Sequence, residues 1–148
     1  MATLADQIKT PESRSAFVDE CDSLLTAEVG RRRGLSGLAT KGAFALVGKV
    51  KPGFIRAVID GLLDDFLAAL QPFHDEWKAS PEGTCGEHLT RHASAVAHAL
   101  LAITDARADR TKFKAVEKAY RKLRPTAVDQ IVESMPALGS LADRHLSP

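Results

Sequence analysis

Cysteine is scarce in this 148-residue chain: there are two, Cys21 and Cys85. Two cysteines cannot make a disulfide framework, and they stand in no paired zinc-finger spacing, so both are expected to be free, reduced thiols. Aromatic residues make up 5%, which leaves few platforms for stacking bases and weighs against nucleic acid as a partner. No run of about 18 apolar residues exists, so no transmembrane segment is expected. The opening MATLADQIKTPESRS has neither the basic nor the apolar region of a secretory signal, which makes the cytoplasm the expected compartment. Sustained alternation of apolar and polar residues is missing too, and with it the signature of half-buried strands.

What is present is an ordinary globular composition, 45% hydrophobic and 26% charged, at a length that buries roughly 70% of the unfolded surface. Net charge is +1, but it comes in blocks. Residues 1–28 are mostly acidic, residues 29–59 hold seven cations and no anion, residues 60–87 are acidic again, and residues 88–124 carry nine cations against three anions. Such blocks either neutralise one another in the fold or leave one face basic.

Apolar residues recur at the 3.6-residue period between recognisable caps. Thr10-Pro11-Glu12 reads as N-cap, first-turn proline and acidic first turn, opening a helix that ends near Gly30. Ser36 is expected to cap a second helix reaching about Lys49, and Pro52 to open a third reaching Leu70, with a kinked continuation from Pro72 to Trp77. Thr84 and Glu87 form a capping box that should start a helix running to about Thr104. A further helix carries Phe113, Val116, Tyr120 and Leu123 on one stripe, and Pro125 and Pro136 suit the starts of two short terminal helices. In the third helix, Arg56, Asp60 and Asp64 make a narrow polar stripe while apolar residues cover the rest. A helix so widely apolar is surrounded by others. The expected fold is therefore all-α, a single domain over residues 1–148 with about six or seven helices around a central apolar helix at about 52–70.

Cys85-x2-His88-x3-His92 is the most specific chemical pattern, since these spacings put soft sulfur and two imidazoles on one helical face. Zinc or iron is the cofactor such a set would take, with His74, Asp75 or Glu76 across the loop as a further ligand. The competing account is a solvated His88 and a His92 bordering the core. At the first helical turn, Cys85 also feels the positive end of the helix dipole, which favours thiolate, but no nucleophile signature surrounds it. The pairs Asp64-Asp65 and Asp75-Glu76 point about 100° apart on a helix and do not converge. No convergent catalytic set emerges, which weighs against an enzyme.

Segment 29–53 pairs cations with glycines but is no phosphate cradle: Ala43 follows Gly42 where a P-loop needs lysine, and no strand precedes it. Its small residues, Gly37, Ala39, Gly42, Ala43 and Gly48, instead permit close helix packing, and small residues on an exposed face would favour self-association. Arg31, Arg32 and Arg33, together with Lys114, Lys118, Arg121 and Lys122, are the candidates for contact with an anionic partner, either phosphates or a membrane surface.

The block LSGLATKGAFALVGKVKPGFIRAVIDGLLDDFLAALQPF resembles the core of a family of small uncharacterised helical bacterial proteins. The likeness rests on Ser36-Gly37, Lys41, Lys49-x2-Pro52, Ala57-Val58, Leu62-Leu63 and Phe66-x2-Ala69-Leu70-x-Pro72, mainly within residues 1–77. It implies a compact helical domain and no catalytic residue. The leading functional expectation is a non-enzymatic binding or assembly module with a protein partner or a second copy of itself. A helical bundle with a small-molecule or metal site, and a peripheral binder of anionic surfaces, are the alternatives.

Overall fold

The computed structural model describes residues 3–146, leaving out the side chain of Ser36. A short 3-10 turn, Ala5–Ile8, precedes six helices: α1 (Pro11–Gly30), α2 (Gly34–Val50), α3 (Phe54–Ala79), α4 (Cys85–Arg91), α5 (Ala93–Asp109) and α6 (Lys114–Leu146). They pack as a single bundle, and no strand occurs among the described residues. The all-α expectation holds.

Local chemistry sets the helix starts. Thr10 Oγ1 accepts the Ser13 N–H at 3.1 Å with Pro11 in the first turn. The capping box at α4 is complete: Thr84 Oγ1 accepts the Glu87 N–H at 3.1 Å, and Glu87 Oε1 accepts the Thr84 N–H at 2.9 Å. The α2 start differs from expectation, because the helix begins at Gly34 with Arg33 as its cap residue, ahead of Ser36. Gly53, at φ 77°, supplies the left-handed turn into α3, a conformation Pro52 cannot adopt.

Three proline boundaries are corrected. α3 runs through Pro72 to Ala79, and α6 is one helix of 33 residues that contains both Pro125 and Pro136. All three prolines are exposed. Water on that side can hydrogen-bond the carbonyls left without partners, so the helix tolerates the ring. The helix expected from Thr84 to Thr104 is instead two, joined at His92 (φ −110°, ψ 30°).

α3 packs against the 3-10 turn, α1, α2, α4 and α5, as a central helix should, and α6 has the same kind of role on the opposite side. The main core contains the fully buried Val18, Leu63, Leu89, Val96, Met135 and Leu141. A second cluster of Val47, Phe54 and Ala119, with Phe113 and Val116 against it, ties α2 to the start of α3 and of α6. α4 and α6 cross at glycine on glycine: a Cβ on Gly139 would lie 2.6 Å from the Gly86 carbonyl oxygen. That crossing holds α4 in place.

Candidate functional site

Glu76 on α3, His88 on α4 and His92 at the α4–α5 joint place one ligand atom each within 4.8 Å of one another. Each position has a structural cause. The Ser80–Thr84 connection is pinned from both ends, since Trp77 Nε1–H donates to the Gly83 carbonyl at 3.1 Å and the Arg91 guanidinium donates to the Glu82 carbonyl at 3.0 Å. The capping box then fixes where α4 begins, and the break at His92 turns its ring beside His88, with centroids 4.5 Å apart. His88 Nε2 lies 3.3 Å from Glu76 Oε1, yet it is buried and makes no hydrogen bond. Glu76 and His92 are exposed, so the group opens to solvent on one side.

Of the sequence candidates, His88 and His92 are together and Glu76, the acid across the loop, joins them. Cys85 is not in the group. It is buried and free, and burial pushes its thiol up to about 11, with the nearby Asp143 carboxylate adding to the shift. The expected pull of the helix dipole toward thiolate is thus outweighed. Asp143 meets the start of α4 through Oδ1, which accepts the Gly86 N–H at 2.8 Å. His74 points inward, with both ring nitrogens buried and unpaired, and burial followed by the Lys78 charge lowers its pKa.

The basic candidates divide into those spent within the fold and those left outside. Arg32 is 13% exposed and pairs with Glu28 and Glu133 while donating to Ser134 and the Gln130 carbonyl. Arg31 pairs with Glu28 at 2.6 Å and Arg121 with Asp109. Lys114 reaches Glu117 at 3.9 Å. Arg33, Lys118 and Lys122 are exposed and, among the described residues, have no ion pair, as do Lys41 and Lys49 on α2. Both acidic segments are partly answered from elsewhere: Arg14 pairs with Asp60 and Asp64 of the second, and Arg56 with Asp19 of the first. The two basic segments are neighbours, because α2 packs on α6 and Lys51 Nζ sits 5.3 Å above the Phe113 ring.

Sequence reasoning missed the outer face of α2. Among the described residues, the large hydrophobic side chains left exposed are Leu35 (87%), Leu38 (66%), Leu46 (45%) and Val50 (40%), all on this helix. Gly37, Thr40 and Val47 turn inward. At 100° per residue, the outward arc of about 140° contains Leu35, Leu38, Ala39, Gly42, Ala45, Leu46, Lys49 and Val50. A Cβ added at Gly42 or Gly48 would meet nothing within 4 Å. The signal in the sequence was the excess of leucine over what one buried face needs.

A helical bundle with a histidine and glutamate group at one helix joint and an uncovered apolar helix face defines a small all-α protein with two candidate surfaces. The chain belongs to a family of unknown function, DUF6918, whose model matches residues 4–146. The resemblance drawn over residues 1–77 therefore extends across nearly the whole chain. No curated protein and no solved structure matches it. Among the described residues, no helix is long and apolar enough to cross a membrane.

Proposed function

We propose that the protein is a binding module that associates with a second copy of itself through the outer face of α2. The observation that carries this reading is the symmetry of the exposed residues about Gly42: Leu38 and Ala39 on one side, Ala45 and Leu46 on the other. Laid antiparallel across a two-fold axis at Gly42, Leu38 meets the partner's Leu46, Ala39 meets the partner's Ala45, and the two glycines cross. An isologous interface requires such self-complementarity. Glycine at the crossing lets the two backbones approach, and Leu35 would cover the aliphatic stem of the partner's Lys49.

The energetics set the strength. Fully burying a leucine is worth about 1.5–3 kcal/mol, so the exposed parts of Leu35, Leu38 and Leu46 from both copies give a gross gain of roughly 5–10 kcal/mol. Association itself costs about 4 kcal/mol or more. The face is also short, about 26 Å for a helix of 17 residues. At most about 6 kcal/mol remains, so a reversible dimer with a Kd of roughly 40 μM or weaker follows.

Light scattering across a concentration series tests this. The wild type should shift from monomer to dimer, and Leu38→Glu or Leu46→Lys alone should hold it monomeric. Combining both in one chain should restore the dimer, because each new acid then faces a new lysine across the axis. A wild type that stays monomeric throughout, or a double variant that stays monomeric, sinks the proposal. Binding of anionic vesicles without dimerisation would instead assign the leucines and unpaired cations to a membrane surface.

A further inference from the structure

We infer that Glu76, His88 and His92 form a zinc site that ties α3 to the α4–α5 joint. Two neutral imidazole nitrogens and one carboxylate oxygen form a donor set that zinc accepts, and three protein ligands leave a fourth position for water. The spacing fits. Tetrahedral zinc with bonds of about 2.0–2.1 Å has ligand atoms about 3.3 Å apart along each edge. His88 Nε2 and Glu76 Oε1 are 3.3 Å apart. They are that close without a hydrogen bond between them, and Nε2 is buried with no other partner. A buried acceptor or donor normally finds a partner, and a cation between these two atoms supplies one. The third ligand needs only side-chain rotation, since all three ligand atoms lie within 4.8 Å of each other and His92 and Glu76 are exposed and free to turn.

The scaffold is suited to holding the ligands. Glu76 stands on a long helix, the intervening loop is fastened by Trp77 and Arg91, and α4 is fixed by its capping box and by Gly86 against α6. Little conformational freedom remains for the backbone to lose on binding. A histidine pair at positions i and i+4 on an isolated helix binds metals weakly by itself. Glu76, brought from another helix, distinguishes this site from such a pair.

Titration of the metal-free protein with zinc by calorimetry, and with cobalt(II) followed by its visible absorption, tests the inference. The expected result is one equivalent bound, with a tetrahedral cobalt spectrum. His92→Ala and Glu76→Gln, both at exposed positions, should each weaken binding about tenfold or more. Cys85→Ser should leave affinity unchanged and should separate this ligand set from one that includes the thiol. Zinc should also raise the melting temperature of the wild type and not that of His92→Ala. Absence of saturable binding, unchanged affinity in Glu76→Gln, or loss of binding in Cys85→Ser with its helical content intact would each overturn it.

Discussion

Gly139→Ala is expected to be among the most damaging single-methyl additions this fold can receive. In an isolated helix the change should help, because alanine exceeds glycine in helix propensity by about 1 kcal/mol. Here the new Cβ would sit 2.6 Å from the Gly86 carbonyl oxygen and 3.0 Å from both its carbonyl carbon and its Cα. The opposing atoms are backbone, with no rotamer to change. To reach ordinary contact, α4 and α6 must part by about 1 Å, and a gap of that size forfeits a quarter to a half of the dispersion well for the surrounding atoms. Overpacking of this kind costs about 1–3 kcal/mol, occasionally more. Taking the upper end of that range, because the clash at Gly139 is against backbone, and subtracting the propensity gain leaves a loss of about 2 kcal/mol. At this chain length that lowers Tm by roughly 4–8 °C. Gly61→Ala is the matched control, since Gly61 lies within α3 with nothing within 4 Å of a Cβ, and it should stabilise by about 0.5–1 kcal/mol. Urea and thermal unfolding followed by circular dichroism at 222 nm measure both. A Gly139→Ala protein as stable as the wild type would refute the close crossing of α4 and α6.

The remaining expectations concern titrating groups. Burial pushes the Cys21 thiol up to about 12 and Cys85 up to about 11, so at pH 8 both should react with a disulfide reagent far more slowly in the folded protein than in urea; rapid labelling of either without denaturant contradicts this. The Arg124 guanidinium beside Asp105, joined by the Tyr120 hydroxyl at 2.6 Å, holds the Asp105 carboxyl below its usual value. A depressed carboxylate stabilises the fold above its unfolded pKa of about 3.9 and loses that contribution as pH falls through the folded value. Asp105 is about a third exposed, so screening limits the effect to about 1 kcal/mol. Asp105→Asn should therefore be less stable than wild type at pH 7, with the gap closing below about pH 4; a gap that stays constant in acid would contradict this origin.

Much of the fold was legible in the sequence because its signals are local. Thr10-Pro11 and Thr84-x2-Glu87 cap the helices they were expected to cap, since those hydrogen bonds span three residues. The prolines misled because a sequence shows that Pro72, Pro125 and Pro136 interrupt the hydrogen-bond ladder but not that each faces water, where the loss is tolerable. The break at His92 carries no glycine or proline to announce it. The Gly86–Gly139 crossing was beyond reach, being a contact between residues 53 positions apart. The candidate site divides along the same line. His88, His92 and Glu76 converge because a short loop returns α4 beside α3, while Cys85 is drawn away toward Asp143 by packing against a helix distant in sequence. The exposed leucines of α2 were out of reach as well, because which side of that helix lacks a neighbour is decided by the packing of α1, α3 and α6 on the other side.

The place of α6 in the bundle also bears on how the protein is made. This helix packs against α1, α2, α4, α5 and the 3-10 turn, and it follows all of them along the chain. At about 5–20 residues per second, a ribosome needs roughly 2–7 s to add its 33 residues. Through that interval the nascent α1–α5 segment lacks the helix that covers the Gly86 face of α4. The bundle closes in a late step when Met135, Gly139 and Leu141 emerge, and until then the growing chain depends on whatever shields apolar surface at the tunnel exit.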